Sequence, residues 1–430
     1  MFATSPGPPN RFRYLLDLQV DYDPTNPRAF DVPYLLLRAT NLRRLSLHGV
    51  DELMECYPHV VDSLTNLVEF RCLDCTEGAL EWLQRTSAPI SRLQVMFWIG
   101  SFKDSHLTFD ILPFLLKFAN TLVSLELGNA IIGPNDHGIQ FHNVREIKIT
   151  MDELFGLGDN TPGQNIIQSF PNLEGFQLWA LRMAWGSREG THREHNFNVA
   201  EVARLGFSNR SLKELKGNIV ALYRTGYFPD CAIENVELTD IGCESSDDPF
   251  LPVFNLIRPR ILSLFLEEWL RSSETVDFLR SAFETISRTG GTLQEVKLNF
   301  NFKADQDYHD EFGDVLEDGI WITCPVAEAF LRNLDLPLKS LPSTVERLKI
   351  TCSSDWDEVK TELSQVRDPS VLAKQYLKDA PSLKSVTLCI PRLVGRNEEE
   401  KPTFACEDEV YNRVVSTDEG KETRNLSDKP

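Results

Sequence analysis

One short pattern recurs along almost the whole of this 430-residue chain and limits what it can fold into. The pattern is a hexamer, apolar-x-x-apolar-x-apolar. It reads LLDLQV at Leu15, LRRLSL at Leu42, LVEFRC at Leu67, ISRLQV at Ile90, LVSLEL at Leu122, VREIKI at Val144 and LEGFQL at Leu173. LKELKG follows at Leu212, with its last position degenerate at Gly217. The series ends with IENVEL at Ile233, ILSLFL at Ile261, LQEVKL at Leu293, VERLKI at Val345 and LKSVTL at Leu383. These thirteen copies start on average about 31 residues apart, the spacing expected of a repeat architecture. LRNLDL at Leu331 also fits but starts only 14 residues before Val345, so its status is ambiguous.

With 42% apolar residues, one such hexamer means little. The preceding segments repeat as well: PYLLLRATN before Leu42, LPFLLKFANT before Leu122, IIQSFPN before Leu173, FLRSAFETISRTGGT before Leu293 and VLAKQYLKDAPS before Leu383. Their apolar residues fall at three- and four-residue steps, as one buried helix face requires, and Pro, Asn, Ser or Gly then breaks the helix. In the hexamer, the fourth and sixth residues point inward while the third and fifth point outward, the period of a short strand. Strand, turn and helix make one coil, and each coil can bury its apolar face only against its neighbours. Stacked strands lie ~4.8 Å apart but helices need ~8–10 Å, so the helix side must splay outward. The expected fold is therefore an α/β solenoid, a horseshoe with parallel strands on the concave face and helices on the convex face. Thirteen strands would trace an inner arc of roughly 60 Å. An ordinary α/β sandwich with a fortuitous leucine pattern is the alternative.

The pattern resembles that of leucine-rich-repeat proteins from about Leu15 to Leu388. The irregular spacing and the phrases PNLEGFQL and PSLKSVTL are similar to the repeat regions of fungal F-box/leucine-rich-repeat proteins. That resemblance implies recognition of protein partners by the repeats, and substrate recognition for a ubiquitin ligase docked through an F-box. The first copy begins at Leu15, which leaves no space for an F-box ahead of it. The expectation is thus a repeat region lacking its F-box. A stand-alone scaffold or inhibitor is the alternative, and an enzyme with an unrecognised site the remoter one.

The chain carries 44 basic against 64 acidic residues, a net charge of −20, which argues against nucleic acid or an anionic membrane as partner. Much of that excess sits in three stretches: DIGCESSDD from Asp240, residues 303–320, and the chain after Val394. The expected organisation is a disordered 1–10, an irregular solenoid over 11–393 with an acidic insertion near 303–320, and a disordered acidic tail over 394–430. The third, fifth and seventh positions of the copies, which should line the concave face, hold nine acids and eight bases. That face is expected to be nearly neutral. No secretory signal opens the chain, and nine scattered cysteines do not make a disulfide framework. They read as reduced thiols in the cytoplasm or nucleus of a monomer.

Chemical motifs are weak. Cys72-Leu-Asp-Cys75 lacks the second pair a zinc site needs, and the repeat register explains both thiols. His192-Arg-Glu-His195 is not the H-E-x-x-H order. The run Asp305, Asp307, Asp310, Asp314 places Asp310 where a calcium loop needs glycine. Gly156-Leu-Gly158 lacks the third glycine of a dinucleotide fingerprint. No catalytic residue, metal or cofactor is expected. The candidate site is a binding face comprising Arg44, Arg71, Arg92, Met96, Trp179 and Phe265. Large apolar and Arg side chains there occupy outward positions, and these residue types dominate binding hot spots.

Overall fold

The computed structural model describes residues 11–23, 25, 31–98, 109–133, 135–136, 138–153, 166, 168–182, 212–219, 222, 231–239, 254, 257–268, 272–290, 292–302, 330–354, 357–366, 368–396 and 402–413. The architecture is mixed α/β, built on one long, mainly parallel sheet. Two compact units divide the chain: residues 1–241 with 247–263, and residues 242–246 with 264–430. Strands of the first unit are β1 (Asp17–Asp21), β2 (Arg44–His48), β3 (Glu69–Cys75), β4 (Arg92–Phe97), β6 (Ser124–Gly128), β8 (Glu146–Glu153), β9 (Gly175–Arg182), β10 (Glu214–Asn218) and β11 (Cys231–Thr239). Each pairs parallel with the next in that order. The short strands β5 (Phe109–Asp110) and β7 (Ala130–Ile131) pair separately. β12 (Ile257–Glu268) crosses the divide between units.

These strands are the sequence hexamers, in register. The fourth positions Leu18, Leu45, Phe70, Leu93, Leu125, Ile147, Phe176, Leu215 and Val236 are successive Cα partners. All but Leu18, which is half-buried on the edge strand, are buried. Sixth positions form a second row, buried except for half-buried Val20 on the edge strand and lacking a side chain at Gly217. There φ is +149° and an added Cβ would lie 2.0 Å from the Leu178 carbonyl oxygen, so the degenerate position is one that the neighbouring strand approaches too closely for a side chain.

Helices cover the inward face of the strands. α1 (Asp31–Arg38), α2 (Val50–Cys56), α3 (Glu77–Arg85) and the short α4 (Leu112–Leu115) fall between strands, α1 and α4 in the segments where the apolar spacing predicts them. α3 buries Ala79, Trp82 and Leu83, and the Trp82 ring stacks on Phe70 of β3 with centroids 4.9 Å apart. Its N-terminus is capped from the preceding coil: the Thr76 and Gly78 N–H groups donate to Asp51, at 2.7 and 2.6 Å.

A second periodic bond ties the coils. The residue just before the hexamer donates its side-chain amide to a carbonyl one coil back. Asn41 donates to Arg13, Asn66 to Thr40, Asn143 to Asn120 and Asn172 to His142, at 2.7–2.9 Å. Thr121 serves the same purpose toward Ile90. Sequence reading treated these polar residues only as helix breakers. Replacing Asn143 by alanine is expected to lower stability in urea denaturation by about 1 kcal/mol, one hydrogen bond's net worth. A similar loss from Thr65→Ala, at an exposed position outside the ladder, would remove the stacking role.

The second unit contains β13 (Glu295–Phe302), β14 (Arg347–Ser353) and β15 (Ser385–Cys389), again parallel, with α5 (Ser272–Arg288), α6 (Asp335–Leu338), α7 (Asp357–Ser364) and α8 (Pro369–Asp379). LRNLDL is resolved as helical: Leu331 and Leu334 are buried at three-residue spacing, with the α6 residue Leu338 following them. It is not a strand copy.

Two expectations are corrected here. The stretch from residue 394 is not wholly disordered. β16 (Arg392–Arg396) pairs with β17 (Pro402–Ala405), and β18 (Glu409–Asn412) adds antiparallel to β15. Nor are all cysteines reduced: Cys389 and Cys406 form a disulfide. The returning tail brings together two thiols that sequence spacing alone does not pair, so cysteine usage no longer argues for a reducing compartment. Cys72, Cys75 and Cys352 are buried and in no disulfide, and Cys56, also in none, is exposed. The thiols of Cys231, Cys243 and Cys324 lie outside the described residues, as do residues 1–10, the acidic 303–320 stretch and the tail beyond 413.

Candidate functional site

Because the strands stay in register, the outward residues also align in rows. In the first unit the third-position row reads Asp17, Arg44, Glu69, Arg92, Ser124, Glu146. The fifth-position row reads Gln19, Ser46, Arg71, Gln94, Glu126, Lys148, Gln177, and the seventh reads Asp21, His48, Leu73, Met96, Gly128, Thr150, Trp179. Opposite charges therefore meet along and between rows. Arg44 pairs with Asp17 at 2.9 Å, Arg71 with Glu69 at 2.7 Å and Lys148 with Glu126 at 2.6 Å. Exposed pairs like these add little stability, ~0–1 kcal/mol each. Their effect on the face is compensation: most charges are already spent within the sheet.

The same holds further along. Lys216 lies 3.0 Å from Glu214 and 3.9 Å from Glu237, and its hydrogen bond to Glu214 raises its ammonium above the usual lysine range. In the second unit Arg347 pairs with Glu295 at 2.9 Å, and Lys349 with Asp408 at 2.7 Å.

Two of the expected site residues, Arg44 and Arg71, are thus engaged by neighbouring carboxylates. Arg92 is exposed and, among the described residues, has no ion pair. Met96 is half-buried, with Cε and Sδ only 2.6 and 2.8 Å from where a Cβ on Gly128 would stand. The missing side chain of Gly128 is the space that Met96 fills. Trp179 is half-buried beside Thr150 of β8. Met96 and Trp179 stand three strands apart in one row, roughly 14 Å. Phe265 is half-buried on β12 in the second unit and is not part of this cluster.

Sequence reading missed Leu73 and Trp98. Leu73, half-buried, is the Cα partner of Met96. Trp98 follows β4, continues the outward alternation of Arg92, Gln94 and Met96, and is 57% exposed. Carrying the outward alternation two residues past the seventh position, Met96, would have found it. The strip Leu73–Met96–Trp98 is apolar, with Gly128 beside Met96 on the next strand and Gln94 before it on β4.

Of the other motifs, only the cysteine pair lies among the described residues. Cys72 and Cys75 are buried under β3, and burial first, then the Cys75 thiol, pushes the Cys72 thiol well up, away from reactivity. His192, His195, Gly156, Gly158 and Asp305, Asp307, Asp310, Asp314 lie outside the described residues. Among the described residues no His, Cys, Asp and Glu gather in threes at metal-binding distance. No helix among them is long and apolar enough to cross a membrane. No protein-family model matches the chain, and no curated protein matches it either.

Proposed function

We propose that the chain is a leucine-rich-repeat solenoid of horseshoe form that binds protein through the outward face of its strands, without catalysis. Strand spacing of ~4.8 Å against helix spacing of ~8–10 Å supports the curvature, with α3 packed on the buried side of β3 through Trp82 and Phe70. The observation that carries the binding reading is the seventh-position row. Its apolar members Leu73, Met96 and Trp179 stand on a face whose flanking charges are mostly neutralised in pairs. A compensated, partly apolar surface costs little to desolvate, and aromatic, Met and Arg side chains dominate binding hot spots. By its resemblance to F-box/leucine-rich-repeat receptors, the bound protein is a substrate presented to a ubiquitin ligase.

The test is affinity capture with mass spectrometry, comparing the native chain with a variant carrying Arg71→Ala, Arg92→Ala and Trp179→Ala. Captured partners are expected to fall at least tenfold in the variant, with its circular dichroism unchanged. An identical partner set in both would remove this face as the binding surface. Absence of ligase subunits among face-dependent partners would remove the ubiquitin link and leave a scaffold or inhibitor.

A further inference from the structure

We infer that the outward column of β4, formed by Arg92, Gln94, Met96 and Trp98, docks a peptide segment of a partner that carries a carboxylate and, a few residues away, a bulky apolar side chain. This rests on the recognition reading above and names what that face selects. The argument starts from charge. Glu69, the carboxylate nearest Arg92 on the adjoining strand, is already held by the Arg71 guanidinium through Nε and Nη2 at 2.8 and 2.7 Å. On the other side, the Cα partner of Arg92 is the uncharged Ser124. Arg44 and Lys148, the flanking cations, have their own carboxylates in Asp17 and Glu126. Among the described cations of these outward rows from β2 to β8, Arg92 is therefore the one without an ion pair, and a planar guanidinium matches a carboxylate with two parallel hydrogen bonds.

The apolar half of the column lies further along the same strand. Four residues separate Arg92 from Met96 and six separate it from Trp98, about 13 and 20 Å at strand rise. Leu73 flanks Met96 on one side, and on the other Gly128 leaves a shallow gap that the Met96 thioether covers. Met is the most adaptable apolar side chain, and Trp98 presents a large exposed ring beside it. A segment lying along β4 would thus place its acid toward the strand's start and its apolar anchor toward the strand's end, four to six extended residues apart. A basic partner would meet Arg92 with like charge.

A random 12-residue peptide library displayed on phage and panned on the full chain tests this. Enriched peptides are expected to pair Asp or Glu with Trp, Phe, Leu or Met at three to six residues' separation. A synthetic enriched peptide should bind at least tenfold more weakly to the Arg92→Glu and Trp98→Ala variants, both surface changes checked for folding by circular dichroism. Exchanging the peptide's acid for lysine should restore binding to Arg92→Glu. No enrichment, enrichment without acids, or affinity indifferent to Arg92→Glu would overturn the inference. If enriched peptides instead depend on Arg71 and Trp179 but not on Arg92 and Trp98, this column falls while the recognition face stands. If they depend on none of the four, both fall.

Discussion

Replacing Trp82 by alanine is expected to lower the stability of the first unit by about 3–5 kcal/mol, the usual range for deleting a large buried aromatic. The indole has no exposed surface and stacks on Phe70, whose own ring belongs to the buried fourth-position row. Leu45 and Leu93 flank that ring on the adjoining strands, so a cavity under β3 would loosen two coil contacts as well as one. On the proposed solenoid reading each coil is covered only by its neighbours, and such a defect cannot be relieved from elsewhere. Among the described residues the buried Trp82 Nε1 has no hydrogen-bond partner, so Trp82→Phe should cost far less than Trp82→Ala. Urea titration followed by far-ultraviolet circular dichroism checks both, with Arg92→Ala as an exposed control within about 0.5 kcal/mol. A Trp82→Ala loss no larger than the control's would mean that α3 does not seal β3.

How much of this was readable beforehand depends on whether the signal was periodic. Leu45 and Leu47, or Val296 and Leu298, are buried because alternation fixes which side of a strand each residue takes, and the copies make the alternation unmistakable. The helices before Leu42, Leu293 and Leu383 were legible for the same reason. Leu331 was not, since LRNLDL satisfies both a strand hexamer and a helix turn; its buried partners Phe330 and Leu334 belong to the helical spacing. The site was half legible. Arg92 and Met96 follow from register, but the pairing that leaves Arg92 open while closing Arg71 depends on side-chain reach rather than on pattern. Trp98 lies past the hexamer and so escaped the template. The tail was hidden by its charge: EDEVYN looks solvated, yet β18 pairs residue by residue with β15, and its half-buried Glu409 and Tyr411 are the Cα partners of buried Leu388 and Val386.

That tail leads to the second large effect. Cutting the Cys389–Cys406 bond, by Cys406→Ser or by a dithiol reductant, is expected to weaken the C-terminal end of the second unit by about 3 kcal/mol. The bond closes a 17-residue separation, and a loop of that size restrains the open chain by about this amount. It ties the end of β15 to the β16–β17 hairpin, just before the chain returns as β18 along the β15 edge. Without the bond, β18 is held by backbone pairing, by the Lys349–Asp408 ion pair and by Arg413, whose guanidinium donates to the carbonyls of Leu377, Ala380 and Leu383. Amide hydrogen exchange across residues 409–413 and 385–388 should then quicken by on the order of 100-fold, with no change in the first unit. Alkaline pH should act on the same end. Burial, and then the hydrogen bond to Glu409, push the Tyr411 hydroxyl up to about 12, so the folded end prefers the neutral phenol. The stability from that preference is complete below about pH 10, the unfolded value, and is lost as pH rises toward 12. Exchange in the C-terminal strands that is indifferent to Cys406→Ser would mean that strand pairing alone closes this edge. The disulfide would then be a consequence of the tail's return and not its cause.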